Sequence, residues 1–156
     1  MAERSPAILA NRSTLALVSR HARESLPLET GGILIGWREG ARIAVQDFLV
    51  VPDDEAGRCS YVRQHQTARD LLADYVHDAD DARLGYVGEW HSHPSPQPAS
   101  STDLASIIAI GKQVRAPIAL MVLMAAVDRS RVDIDARVVR RRALRTTTER
   151  VPVGIL

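Results

Sequence analysis

LGYVGEWHSHP, residues 84–94, is a short apolar strand pattern that runs directly into two histidines. Side chains at positions i and i+2 of an extended chain point to the same side, so His91 and His93 can bind one ion together. On a helix the same pair would diverge. A third ligand must come from elsewhere, and Asp103 lies ten residues beyond His93, at the start of a predicted helix. The proline-rich loop between them is long enough to fold back.

The rest of the chain alternates helical and strand patterns, without an internal repeat or a low-complexity tract. Apolar residues at helical spacing predict helices, and apolar runs rich in Ile and Val predict strands. The predicted helices are at 13–24, capped by Ser13 or Thr14, at 66–76 and at 103–111. The predicted strands are at 31–37, 41–51, 84–90, 118–127 and 132–139, and the first two form a hairpin with a turn at 38–40. Loops are predicted at 52–57, which is polar, and at 95–101. The segment from 146 onward gives weak signals. This order favours an α/β or α+β domain with helices packed on one sheet.

Length and composition describe one ordinary domain. The chain has 156 residues, 46% apolar and 25% charged, with a net charge of +1 that gives no general attraction to nucleic acid or an anionic membrane. Cys59 is the single cysteine and cannot form an internal disulfide. No apolar stretch is long enough to span a bilayer, and residues 1–6 are polar. We therefore expect a cytoplasmic protein without a membrane partner.

Two histidines and a carboxylate are a ligand set that suits Zn²⁺. Three protein ligands and an open position are typical of a catalytic zinc site, whereas structural sites are closed by four ligands that usually include cysteine. An isolated His-x-His is also common by chance on protein surfaces, and Asp103 would serve equally as an ordinary residue in the first turn of a helix. The pattern alone leaves both interpretations open.

Hydrolysis at such a site also needs a general base. Glu29 stands immediately before Gly31, Gly32 and the first predicted strand, where two glycines allow a close backbone approach. Without other information, a solvated glutamate in a turn is the alternative interpretation.

Three motifs in order resemble the JAB/MPN (JAMM) metalloprotease family, in particular its compact bacterial members. They are ETGGILIG at 29–36, GEWHSHP at 88–94, and Ser100-x-x-Asp103. Together they cover nearly the whole chain in element order. The resemblance implies a single JAB/MPN-like (cytidine-deaminase-like) domain over 1–156, with a core at about 7–140 and a central, mostly antiparallel sheet flanked by helices.

The resemblance also implies a role for each matching residue. His91, His93 and Asp103 match the family's zinc ligands, Glu29 matches the base that deprotonates zinc-bound water, and Ser100 matches the serine that helps to stabilise the oxyanion. The family usually has seven residues between the second histidine and this serine, and here there are six, 94–99. Ser101 would restore that spacing but would place Leu104, which cannot bind zinc, at the aspartate position. We therefore expect a loop shortened by one residue, with Ser101 as a reserve for the oxyanion role.

Glu89 competes for a role at the same site. It lies two residues before His91 and should face the same side of the strand. It could be a metal ligand, a partner that orients an imidazole, or a salt-bridge residue. We favour the last two, because the resemblance already supplies a base at Glu29.

Several other residues attract attention without forming a site. His21, His65 and His77 have no partner at metal spacing, and Cys59 lies in a polar segment where an incidental cysteine is the simplest interpretation. The run Arg140-Arg141-Arg142, with Arg145, could touch nucleic acid, but no aromatic residues are interleaved for stacking. We predict a solvated edge there and no nucleic-acid partner.

Three functions remain in view. The first is a zinc-dependent isopeptidase or peptidase that acts at the C-terminus of a ubiquitin-like protein or its conjugate, beside E1- and E2-like enzymes. The second is the same chemistry applied to a small sulfur-carrier protein. The third, of another class, is a metal-free scaffold that binds partners, although scaffolds of this family typically lack one or more of the ligands present here.

Overall fold

A computed structural model of the chain describes residues 7–52, 65–126, 128 and 130–156. Cys59 and most of the predicted loop at 52–57 lie outside these residues, as does the side chain of His65. The elements are β1 Ala7–Ala10, α1 Arg12–Glu24, β2 Gly31–Glu39, β3 Arg42–Val50, α2 His65–Asp78, β4 Gly85–His93, α3 Ser101–Gln113, β5 Ile118–Met124, β6 Asp133–Arg142, β7 Arg145–Arg150 and β8 Val153–Ile155. In this part of the chain no helix is long and apolar enough to cross a bilayer.

The eight strands form one mixed sheet in the order β7-β6-β5-β4-β2-β3-β1-β8. Four neighbouring pairs are antiparallel, including the predicted hairpin of β2 and β3, while β4 runs parallel to β5 and β1 runs parallel to β3 and β8. The α/β fold class is confirmed.

The predicted helices and central strands are present, with ends that differ by a few residues. The predicted caps of α1 are wrong: its N-cap is Asn11, and the buried Thr14 instead donates from Oγ1 to the carbonyl of Gln46 at 2.6 Å. β2 and β6 each continue beyond their predicted ends, since strand pairing persists there despite the charged side chains.

The two faces of the sheet are packed differently. On one face, Val18 and Ala22 of α1 join a large apolar cluster around Trp90 of β4 and Met121 of β5. On the other, Ile107 of α3 packs on a smaller cluster supplied by β5 and β6. Successive residues of β4 therefore alternate between the two faces, and His91 and His93 fall on the side opposite Trp90.

Candidate metal centre

Both histidines lie within β4, at its carboxyl end, and not in the loop after it. Strand pairing fixes their backbone on both sides: His91 is opposite Gly31 of β2 and Val122 of β5, and His93 is opposite Met124 of β5. The side chain of His93 is nearly buried, and that of His91 is one-fifth exposed. The pair is therefore held by a central strand, which positions side chains more rigidly than a loop does.

Asp103 reaches the histidines from the first turn of α3. The helix begins with a capping box: the Ser100 hydroxyl accepts from the Asp103 backbone N–H at 3.1 Å, and Asp103 Oδ2 accepts from the Ser100 backbone N–H at 2.7 Å. This reciprocal bonding fixes the direction of the Asp103 side chain.

The three side chains converge on one small volume. The Nε2 atoms of His91 and His93 are 3.2 Å apart, His91 Nε2 is 3.2 Å from Asp103 Oδ1, and His93 Nε2 is 3.3 Å from Asp103 Oδ2. Among the described residues, these three form the group of His, Cys, Asp or Glu side chains with the spacing to hold a metal ion. The loop at 94–100 thus folds back as the sequence required.

The electrostatics of the group favour binding a cation. The hydrogen bond with Asp103 raises the pKa of His93 above its ordinary value. Burial alone would raise the pKa of Asp103, but the hydrogen bonds from His91 and His93 outweigh it and hold that pKa well below its usual range. Asp103 is consequently a carboxylate at neutral pH, with both oxygens directed at imidazole nitrogens.

Glu29 lies at the same end of the sheet, two residues before β2 begins. Gly31 is opposite His91 in the antiparallel register, so two residues earlier the chain passes alongside His93. Thr30 confirms this path, because its carbonyl accepts from the Ser92 N–H at 2.8 Å. Glu29 is exposed, and its negative charge is among the groups that raise the pKa of His93. The carboxylate therefore lies at the solvent side of the candidate site.

Ser100 is brought to the site, but its hydroxyl is already engaged. Its Oγ donates to Asp103 Oδ2 at 2.7 Å while it accepts from the Asp103 N–H. Ser101, the reserve for the oxyanion role, is the exposed first residue of α3.

Glu89 faces the same side as the histidines and is buried. Its Oε1 accepts a hydrogen bond from the Tyr86 hydroxyl at 2.6 Å, and it is not a member of the metal-spaced group. Burial and the Glu89 charge raise the pKa of Tyr86. Within the described residues, this hydrogen bond places Glu89 in a buried polar pair with Tyr86.

Two supports of the site were not anticipated from the sequence. His93 Nδ1 lies 2.7 Å from the carbonyl of Gln97, which can only accept, so Nδ1 donates and Nε2 faces His91 and Asp103. Asp135 of β6 is almost fully buried and accepts from the Ala99 backbone N–H at 2.9 Å, which ties the loop at 94–100 to the sheet. Two arginines, Arg137 and Arg150, also donate to Asp135. An aspartate in an alternating strand carries no sequence signal of such a role.

A family model described as prokaryotic homologs of the JAB domain matches residues 11–144. The chain belongs to this family. The Prok-JAB assignment confirms the resemblance seen in the three motifs. A curated relative, named CD-NTase/cGAS isopeptidase, from Enterobacter hormaechei subsp. hoffmannii (strain UCI 50), is 41% identical over 87 residues, which are 53% of this chain and 46% of the relative. The Prok-JAB chain thus matches about half the length of that protein.

Two solved structures share the fold. A crystal structure of a JAB1/MPN domain protein from Archaeoglobus fulgidus has a TM-score of 0.54 at 16% identity, covering 96% of this chain and 98% of the other. A solution structure of a protein from Desulfitobacterium hafniense has a TM-score of 0.59 at 18% identity, covering 96% and 94%. At these identities the likeness concerns the fold alone.

Proposed function

We propose that this chain is a zinc-dependent isopeptidase or peptidase that cleaves the bond at the C-terminus of a ubiquitin-like protein, in a conjugate or a precursor. The observation that carries the proposal is the convergence of His91, His93 and Asp103 within 3.3 Å of one another. Membership of the Prok-JAB family and the name of the curated relative support the reaction class.

The donor set and its dimensions fit zinc. Zinc bound to nitrogen and oxygen ligands at about 2.0–2.1 Å in a tetrahedron separates those ligands by about 3.3–3.4 Å. The two Nε2 atoms are 3.2 Å apart, close to one edge of such a tetrahedron, and each lies 3.2 to 3.3 Å from one of the two Asp103 oxygens. Three protein ligands that remain partly exposed leave the fourth position open to solvent, which is typical of catalytic sites.

Each residue then has a defined task in the proposed reaction. When bound, zinc supplies a Lewis acid and lowers the pKa of a water molecule to about 7. Glu29, exposed beside His93, accepts a proton from the attacking water and returns it to the leaving amine. Ser100 can donate to the developing oxyanion only by releasing Asp103 Oδ2, so we assign it first to orienting that ligand.

The proposed substrate is a protein conjugate. The relative is named an isopeptidase of a CD-NTase/cGAS, and a CD-NTase joined through an isopeptide bond is the conjugate to assay first. E1- and E2-like enzymes that form such a bond, and a cytoplasmic location for the whole system, belong to the same proposal. In this proposal, residues 1–156 form one catalytic domain.

The first test is the metal content of the purified chain, measured by elemental analysis beside a His91→Ala/His93→Ala variant. We expect about one zinc per chain in the wild type and none in the double variant. Wild-type protein that takes up no metal after zinc is offered at neutral pH would contradict the proposal and favour the alternative function, a metal-free scaffold that binds partners.

The second test separates the base from the ligands. Glu29→Gln should retain zinc and lower kcat for a ubiquitin-like fusion by about 10²–10⁴-fold, because proton transfer is lost while the ligands remain. Asp103→Ala should lose both zinc and activity. Glu24→Gln, a nearby exposed glutamate paired with Arg20, is the matched control and should keep full activity. A fully active Glu29→Gln protein would contradict the assignment of Glu29 as the base.

A further inference from the structure

A pocket lies at the opposite end of the sheet from the candidate metal centre. The turn between β2 and β3, the segment that enters β5 and the end of β6 enclose about 680 Å³. Since β5 spans the sheet from Ile118 to Met124, this pocket is about 20 Å from the histidines. None of the residues assigned to the metal centre lines it.

The lining of this pocket is strongly basic. It contains four arginines and one acidic residue, Glu39, whose Oε1 accepts from the indole N–H of Trp37 at 3.1 Å. The arginines are Arg115, Arg140, Arg141 and Arg142. The run that the sequence presented as a solvated edge is therefore folded into a concave surface, and Arg115 joins it from another segment.

Arg140 is the unusual member of this group, because it is 91% buried. Its backbone is fixed in β6 opposite Thr147 of β7, next to the pairing of Val139 with Ile118 of β5. Its Nε is a buried donor with no hydrogen-bond acceptor among the described residues. A buried charged donor without an acceptor is unfavourable, so such a group calls for an anionic partner.

Arg38, which is not itself a lining residue but contacts one, provides a second, independent observation. Its Nε donates to the carbonyl of Pro117, a lining residue, at 2.5 Å, and its Nη1 donates to the carbonyl of Tyr86 at 3.1 Å. Its Nη2 is buried and, within the described part of the chain, also has no acceptor. Each of the two arginines thus has one buried donor without an acceptor among the described residues, Arg140 in the pocket lining and Arg38 bonded to the lining residue Pro117.

We propose that this arginine pocket binds a small phosphate-bearing molecule, with Arg140 as its buried anchor. Guanidinium groups match phosphate oxygens with paired hydrogen bonds. A single carboxylate carries one negative charge, whereas a phosphate ester carries about 1.5–2 and a diphosphate more, which suits four arginines and one glutamate better. The volume lies within the range of small-molecule sites. Among the described residues, the lining has no aromatic side chain on which the bases of a nucleic-acid strand could stack.

The pocket is tested with inorganic pyrophosphate, titrated into the full-length chain at physiological ionic strength and followed by backbone-amide NMR. We expect saturable shifts that centre on Arg115 and residues 140–142 and spare His91 and His93. Shifts confined to the histidines, or none up to millimolar pyrophosphate, would overturn the proposal.

Variants then separate a defined site from general surface charge. Arg140→Ala should weaken pyrophosphate binding by about tenfold or more, because the anchoring charge-assisted hydrogen bonds are lost. Arg141→Ala, at an exposed lining position, should weaken it several-fold and provides the test if Arg140→Ala fails to fold. Arg145→Ala, exposed and outside the lining, is the matched control and should leave affinity within about twofold.

Two further results would contradict the proposal. Equal weakening by Arg145→Ala and Arg140→Ala would show diffuse electrostatic attraction. Tighter binding of a polyglutamate peptide or a single-stranded oligonucleotide than of pyrophosphate, with the same dependence on Arg140, would assign the surface to a macromolecule instead.

Discussion

At the scale of single residues, the candidate metal centre depends on side chains that never touch the metal position. Asp135 is the clearest of these, because its side chain is 2% exposed and its Oδ2 holds the Ala99 backbone N–H. Ala99 lies in the loop that joins His93 to Asp103, so the aspartate sets how far that loop folds back.

We predict that Asp135→Asn destabilises the fold by about 2–3 kcal/mol, because an amide cannot accept from Ala99 and both arginines at once. The same change should weaken zinc binding by about tenfold through the loosened loop. Urea denaturation and competitive zinc titration measure the two effects. Asp133→Asn, in the same strand but half-exposed and paired with the exposed Arg131, is the control and should change little.

The effect of Asp135→Asn should also depend on pH. Burial alone would raise the pKa of Asp135, but the hydrogen bond from Ala99 and the charges of Arg137 and Arg150 hold it below 3.8. Stability from a carboxylate with a depressed pKa is fully present above its unfolded pKa and is lost as pH falls through the folded one. The difference in unfolding free energy between wild type and variant should therefore be constant from pH 7 to about 5 and shrink below that. A difference that grows in acid would contradict this account.

At the scale of elements, α3 presents Asp103 through its capping box. Ser100→Ala should cost about 1 kcal/mol of stability and weaken zinc binding, because the Asp103 N–H loses its acceptor and Oδ2 loses the hydroxyl donor. Ser101→Ala, one residue later and exposed, should be neutral. Full kcat in a zinc-loaded Ser100→Ala protein would exclude an oxyanion role for the serine, because alanine has no donor.

The close backbone contact between β4 and β5 leaves no room for a side chain at Gly88. A Cβ added to Gly88 would lie 2.1 Å from the carbonyl oxygen of Ala119, its partner in β5, whereas a Cβ on Gly85 would meet nothing within 4 Å. Gly88→Ala should therefore destabilise the protein by about 2–4 kcal/mol and reduce zinc occupancy, since the same strand pairing positions His91 and His93. Gly85→Ala should stay within about 0.5 kcal/mol in the same denaturation experiment. Equal effects of the two variants would show that β4 and β5 can separate at Gly88 without cost.

The sequence predicted those elements whose apolar residues repeat over seven or more positions. It therefore found α1, α2, α3 and the central strands, and the i, i+2 spacing of the histidines placed them correctly on one face. It missed β1, β7 and β8, which are short or carry side chains such as the run Arg145-Thr146-Thr147-Thr148. Edge strands like β7 and β8 are held by backbone pairing to one neighbour, and apolar periodicity cannot report that.

The same limit explains what was missed at the site. The ligands could be named because their residue types and order are particular to the chemistry. Asp135 supports the site through a hydrogen bond from the Ala99 backbone N–H, 36 residues away, and Gln97 supports it through a backbone carbonyl, which every residue carries. The arginine run could be seen, but the burial of Arg140 in a concave surface could not, because Arg115 and the β2–β3 turn reach it only through the sheet order.

At the scale of the whole molecule, strand direction decides which residues meet. β4 and β5 run parallel, so their carboxyl ends lie at one edge, and β2 runs antiparallel to β4, so its start lies there too. Glu29, the two histidines and the loop that leads to Asp103 are therefore gathered at a single edge. The arginine pocket lies at the opposite end of these strands, where β2 and β6 end and β5 begins.

Because only the native fold holds the three ligands, from the end of β4 and the start of α3, within 3.3 Å of one another, zinc should bind the native state far better than the unfolded chain. A ligand at 100 times its Kd then stabilises the native state by about 2.7 kcal/mol, which for a domain of this size raises Tm by about 5–10 °C. We expect this shift between the zinc-loaded and chelator-treated wild type in differential scanning calorimetry. The His91→Ala/His93→Ala variant should unfold at the same temperature in zinc and in chelator, because it lacks both imidazole ligands. A wild-type Tm that is equally indifferent to zinc and chelator would mean that the three side chains are held together by their own hydrogen bonds and not by a metal.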